Sequence, residues 1–366
     1  MGIIPAEWNA IELDEVCSMK SGEGITAARI DQFSEYPCYG GNGLRGYTSR
    51  FTHDGSFALI GRQGALCGNV VGAEGKFFAS EHAVVVTARS GTDIRFLTYV
   101  LGAMRLNRFS ESSAQPGLSV SKILKLTLAV PPTEAEQGAI AAALGDVDAL
   151  LGGLDRLIAK KRDLKKAAMQ QLLTGQTRLP GFLGKWAVKQ LGSLLAYERP
   201  DSYIVHNTDY TERGDVPVLT ANKSFILGYT HESFGVCRNL PVIVFDDFTT
   251  ESKFSAVPFK VKSSAIKLLR PRHERVSLRY VFERIQLIRF PLGGHKRHYI
   301  SEYQNIEFPA PEYDEQKAIA TVLTDMDSEI AALERRRDKT RDLKQAVMQE
   351  LLIGKTRLVP TGGTHA

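Results

Sequence analysis

Residues 132–179 recur at residues 311–358 with no gap, and this internal repeat limits the fold of the 366-residue chain more than any other feature. With a displacement of 179, Glu136-Gln137 falls on Glu315-Gln316, and Asp146 and Asp148 fall on Asp325 and Asp327. Arg162-Asp163-Leu164-Lys165 falls on Arg341-Asp342-Leu343-Lys344, and Thr177-Arg178-Leu179 falls on Thr356-Arg357-Leu358. About half of the roughly 48 positions are identical. Trp8, Leu13 and Val16 also match Trp186, Leu191 and Leu194 at a displacement of 178. The chain therefore consists of two halves, each an unlike region followed by a like one.

The like segments read as long helices. Ile140, Leu144, Val147, Leu151, Leu154 and Ile158 are spaced 4-3-4-3-4, and Ile319, Leu323, Met326, Ile330 and Leu333 repeat that spacing. This is the apolar seam of a coiled coil. Pro131-Pro132 and Pro309/Pro311 precede the helices, Thr133 and Glu136 suit a capping box, and Gly175 and Gly354 suit left-handed stops. A helix of about 40 residues would be about 60 Å long. The simplest partner for each stripe is the other copy, antiparallel within one chain; the alternative is a coil between two chains. Each helix turns basic, at Lys160, Lys161, Arg162, Lys165 and Lys166 and at Arg335, Arg336, Arg337, Lys339, Arg341 and Lys344. A solvated face, a partner surface and a phosphate contact all fit that pattern.

The unlike regions, 1–132 and 180–310, read as mixed α/β domains. Strands are expected at 57–60, 82–86, 216–219, 241–245 and 264–269, and helices at 96–106 and 278–288. Residues 40–46, 61–64, 112–117 and 293–298 read as loops. Loops bearing Arg, Asn and Gln can reach base edges, because Arg pairs with guanine and Asn or Gln with adenine through two hydrogen bonds. The candidates are Asn42, Arg45, Arg62, Gln63 and Gln115 in the first half and Asn222, Lys223, Lys296, Arg297 and His298 in the second. Arg270, Arg272, Arg275 and Arg279 suit phosphates or solvent.

Composition narrows the class. Hydrophobic residues make up 43% and the formal charge is +5, which permits contact with a polyanion without requiring it. Cys17, Cys38, Cys67 and Cys237 form no C-x-x-C pair, so no metal site is expected. There is no signal peptide pattern and no apolar run long enough for a membrane span, so a reduced, cytoplasmic setting is expected. Gly354-Lys355-Thr356 lacks the upstream glycine of a phosphate-binding loop, since position 349 is Gln349. Asp246, Glu251 and Lys253 suggest a metal-dependent nuclease only weakly. No Asn- or Asp-Pro-Pro-aromatic motif is present, as a base amino-methyltransferase would need.

The two P-x-x-x-E-Q-x-x-I-A helix starts and the two R-D-L-K…M-Q-x-L-L-x-G-x-T-R-L helix ends resemble the specificity subunits of type I restriction–modification systems. Trp8 and Trp186, the run Leu59–Val70, and Phe77-Phe78 before His82 are similar to that family's. The resemblance implies two target recognition domains (1–132 and 180–310), two conserved spacer helices (133–179 and 311–359) and a tail (360–366). It implies α/β (mixed α+β) domains separated by antiparallel coiled-coil helices in a pseudo-twofold, circular arrangement, with the N-terminus near the end of the second helix. It further implies a bacterial or archaeal protein that binds double-stranded DNA at a bipartite target, without chemistry of its own. Two methyltransferase subunits, and possibly restriction/translocase subunits, would be its partners, and S-adenosylmethionine, ATP and magnesium would sit on those subunits. A coiled-coil adaptor without a DNA role, or a nuclease, is the alternative.

Overall fold

The repeated segments form the two longest helices, Glu134–Leu172 and Tyr313–Leu352. Each starts just after its prolines, because proline lacks the N–H that a helix interior needs. Thr133 caps the first, its Oγ1 accepting the Glu136 N–H at 3.3 Å. The capping box stops there, because the Glu136 carboxylate accepts from Arg357 instead. Gly175 and Gly354 follow the helix ends with φ of +74° and +72°, a region open to glycine. The helices thus end earlier than the spacer segments 133–179 and 311–359, giving way to turns directly after Leu172 and Leu352.

The computed structural model describes residues 5–64, 66–110, 117–221, 224–291 and 296–358. They fall into two compact units, 1–155 with 336–366, and 156–335. This differs from a linear division, since each long helix contributes to both units.

In the first unit, six strands lie in the order 17–21, 83–88, 53–61, 70–79, 36–40, 43–48. All pairings are antiparallel except 36–40 with 70–79. Val84–Val86 are all buried because both sheet faces are covered. On one face, helix Ile94–Ala103 sets Phe96, Leu97, Val100 and Leu101 against Ala58, Ile60, Val84 and Val86; on the other, Leu59, Ala73, Phe77 and Val85 form a smaller cluster. Strand Asn9–Glu12 pairs with Thr127–Val130 and so ties the start of the domain to the approach of the first long helix.

The second unit reproduces this plan with different sequence. A four-stranded antiparallel sheet, in the order 195–198, 266–271, 242–246, 252–255, carries helix Leu278–Ile285. A three-stranded sheet, in the order 226–230, 216–219, 260–261, completes it. Strand Ala187–Gln190 pairs with Glu307–Ala310, as 9–12 pairs with 127–130. The sequence placed most of these elements, but residues 40–46 form the tip of hairpin 36–40/43–48 and not an open loop.

The long helices run antiparallel to each other within each unit. In the first, Lys344 meets Asp148 at 2.6 Å and Arg357 meets Glu136. In the second, Lys161 meets Glu329 at 2.6 Å, Lys165 meets Asp327 at 2.7 Å and Arg178 meets Glu315. Part of the basic run therefore pairs helix with helix. Of the expected seam, Ile140, Leu144, Leu154, Ile158, Ile319, Leu323 and Ile330 are buried, while Val147, Leu151, Met326 and Leu333 are half-buried. In the first unit, Ile140 and Leu144 share a core with Leu351 and Leu352. In the second, Ile319 and Leu323 share one with Leu172 and Leu173. Each such side chain contributes roughly 2 kcal/mol relative to exposure.

Candidate nucleic-acid interface

In the first unit, the hairpin tip at Gly41-Asn42 faces the loop that follows strand 53–61. Together they flank an open cavity of about 510 Å³ lined by Gly41, Asn42, Arg45, Gln63, Gly64, Leu66 and His82. Three expected base readers, Asn42, Arg45 and Gln63, are thus brought together and exposed. The aliphatic stem of Arg45 lies across Gly40, where any Cβ would collide with it. Arg62 turns away and donates to Ser21 Oγ at 3.1 Å. The loop is braced from behind, because the Leu118 N–H donates to the Arg62 carbonyl at 3.0 Å and Gln63 bridges to Gly117. Sequence reasoning missed His82, whose position beside the cavity depends on the connection between strands 70–79 and 83–88, which lie on either side of strand 53–61. Gln115 lies outside the described residues.

The second unit does not assemble its candidates in this way. His298 is fully buried, its N–H donating to the Asp247 carbonyl at 2.8 Å, so its ring does not face a duplex in this structure. Lys296 pairs with Glu302. Arg297 reaches Ser264 Oγ at 3.4 Å and lies 5.9 Å from the Phe248 ring; it and Lys296 are both exposed. Asn222 and Lys223 lie outside the described residues. The expected phosphate arginines are mostly engaged internally: Arg270 pairs with Glu198 at 2.9 Å, Arg272 donates to the Gly192 carbonyl, and Arg279 pairs with Glu283. Glu283 is the i,i+4 neighbour of Arg279, whereas Glu198 and Gly192 lie 72 and 80 residues from the arginines they hold.

The weak nuclease candidates serve the backbone. Asp246 accepts the N–H groups of Phe248 and Thr249 at 2.9 Å each, and neighbouring Asp247 binds Lys267 at 3.2 Å. Among the described residues, no group of three or more His, Cys, Asp or Glu is placed to hold a metal ion, and no helix is long and apolar enough to cross a membrane. The four cysteines are free and buried, and burial pushes the Cys17 thiol up to about 12.

The geometry explains the repeated Glu-Gln and Thr-Arg-Leu motifs, whose roles the sequence did not reveal. Arg357 binds Glu136 beside the Trp8 ring, and Arg178 binds Glu315 beside the Trp186 ring. Gln137 accepts the Asp93 N–H at 2.8 Å, and Gln316 accepts the Ser277 N–H at 3.1 Å. Asp93 and Ser277 are the caps of helices 94–103 and 278–285. Each glutamine also donates to the carbonyl of a preceding proline, Pro131 or Pro311. The motif thus locks each α/β domain to its own long helix.

Comparison with known proteins agrees with this architecture. Residues 5–159 match the family described as the type I restriction modification DNA specificity domain. The chain is 47% identical over 146 residues to the type I restriction enzyme EcoprrI specificity subunit of Escherichia coli, covering 39% of this chain and 36% of that protein. It is 25% identical over 268 residues to the putative type I restriction enzyme MjaX specificity subunit of Methanocaldococcus jannaschii, covering 67% and 62%. The matches thus span from about a third to about three-fifths of those relatives. The crystal structure of a type I restriction–modification S subunit from M. genitalium shares the fold, with a TM-score of 0.74 at 15% identity over 96% of this chain and 97% of that one. The family model thus matches the first part of the chain, and the shared fold extends over nearly all of it.

Proposed function

We propose that this chain is the DNA-reading specificity subunit of a type I restriction–modification complex. It would recognise a bipartite duplex target, one half-site per unit, and carry methyltransferase subunits. The observation that carries this reading is the duplicated plan: two recognition-type domains, each locked by the same Glu-Gln and Arg contacts to a pair of antiparallel helices. In the first unit the candidate readers Asn42, Arg45 and Gln63 line one cavity, a donor and acceptor set suited to base edges. Phosphate contacts would add affinity without adding sequence information. Helices common to both readers would make the gap between half-sites a property of helix length. Two modest readers joined in one chain would also bind more tightly than either alone.

In this reading the chain performs no chemistry. S-adenosylmethionine, ATP and magnesium belong to its partners, and the assembly works in the cytoplasm of a bacterium or archaeon. Mapping methylated adenines in the source genome, with and without this gene, tests the proposal. The expected result is a motif of two short blocks around an unspecified gap that disappears with the gene. An unchanged methylation map would reject the proposal.

A further inference from the structure

We infer that the first unit holds a DNA phosphate in a cleft between the end of helix Ile94–Ala103 and the last part of the second long helix; this rests on the DNA-reading role proposed above. The cleft has a volume of about 550 Å³, and Arg105, Arg108, Arg341, Lys344, Gln345 and Gln349 supply its polar lining. No carboxylate lines it. Lys344 is already paired with Asp148, and Arg341 lies 3.4 Å from Asp338. Arg105 and Arg108 are exposed and have no carboxylate partner among the described residues, so their charge is open to a ligand.

The backbone provides an independent observation. Arg105 follows the helix C-cap Met104 in the left-handed conformation, φ 50° and ψ 61°. That position strongly favours glycine, because a Cβ there is strained. Placing arginine there sacrifices backbone comfort for a side chain, and strain of this kind is concentrated at functional sites. Among the described residues of the second unit no arginine is left-handed, and Gln286, the C-cap of helix Leu278–Ile285, is followed by Leu287.

Position identifies the anion as nucleic-acid phosphate. The turn Leu106–Phe109, which carries Arg108, packs so closely on Gly68 that a Cβ there would strike the Asn107 backbone. Gly68 belongs to the loop whose earlier residues Gln63, Gly64 and Leu66 line the reading cavity. A duplex whose base edges meet that cavity would run its backbone past the same loop, towards Arg105 and Arg108. Two glutamines one helical turn apart add donors for phosphate oxygens.

The test compares the wild-type chain with Arg105→Gly, Arg108→Gln and the double variant, each assembled with its methyltransferase subunit. Binding to a bipartite duplex and to a scrambled one is measured between about 0.05 and 0.2 M salt. The double variant should make the negative slope of log affinity against log salt shallower by about 0.9, and each single substitution by part of that. The loss should be equal on both duplexes and leave the methylated motif unchanged. Arg105→Gly should also melt no lower than wild type, which separates lost contact from lost folding. Unchanged slopes alongside normal wild-type binding would overturn the cleft assignment and leave the reading role intact. Unchanged slopes with weakened assembly would overturn it in favour of an acidic protein surface. Failure of the wild-type complex to prefer the bipartite duplex would reject the reading role itself.

Discussion

Glu136 is 1% exposed and Arg357 is its ion-pair partner. Removing the arginine alone leaves a carboxylate out of water without compensation. Arg357→Met should therefore destabilise the first unit by about 2 kcal/mol, reduced from the fully buried case because Arg357 itself is partly exposed. Denaturant unfolding can be read unit by unit, because Trp8 and Trp186 are the two tryptophans and each sits beside its own arginine. In a Trp186→Phe background the Trp8 transition should move to lower denaturant; an unmoved transition would show that the pair stabilises nothing. Asp93 makes a second prediction. Burial alone would raise its carboxyl, but the Arg95 side chain and the N–H groups of Phe96 and Arg95 hold it below its ordinary value. A depressed carboxyl contributes stability that is complete above its unfolded pKa, about 3.9, and is lost as pH falls through the lower folded value. Acidification from pH 5 towards 3 should therefore weaken the first unit more in wild type than in Asp93→Asn. At this scale the sequence disclosed residue types and little of their use. Arg45 and Gln63 stood out as reader chemistry, but nothing local distinguished them from Arg62, which is held by Ser21. His298 resembled them in its basic setting and is buried, its backbone N–H held by the carbonyl of Asp247, 51 residues earlier in the sequence.

The long helices were the most legible elements, since a seam repeated twice at fixed spacing overrides weak local propensity. Their stops were legible too: Gly175 and Gly354 stand where the helices yield to left-handed turns. The reason for Gly354 is also steric, because a Cβ there would lie 2.5 Å from Pro5 and 3.0 Å from the Trp8 ring. Gly354→Ala should cost about 2 kcal/mol through backbone strain and overpacking, visible as a lowered Trp8 transition; a cost matching an exposed helix-end substitution would contradict that packing. In the first unit Pro5 and Trp8 lie against Gly354 at the end of the second long helix, as the expected closure of the chain requires. The strands of the recognition-type domains were less legible. A buried run such as Val84–Val86 shows where a strand lies, not which neighbours it pairs with. The basic helix run was only partly legible, because Asp338 sits beside Arg337 and Arg341 in the sequence, whereas the acids that pair with Lys165 and Lys344 lie more than 160 residues away. If helix length sets the half-site gap, inserting seven residues at matching points of both helices keeps the seam and adds about 10 Å, close to three base pairs. The methylated motif should keep both blocks and widen only its gap, and a lost or altered block would count against that link.

At the scale of the whole molecule, the chain is two versions of one plan, each unit drawing on both long helices. The duplication was plain in the sequence because the locking residues are constrained to identity: Gln137 and Gln316 each join a helix cap to a proline carbonyl. The recognition-type regions escape that constraint because different strands can fill the same place, which is why their common plan emerged only in three dimensions. The central claim is that each unit reads its own half of a split DNA target. The most direct measurement replaces residues 1–132 with the corresponding region of another specificity subunit and maps genome-wide adenine methylation. The account predicts that one block of the motif changes while the other block and the gap stay as they were; a change in both blocks, or in neither, would contradict it.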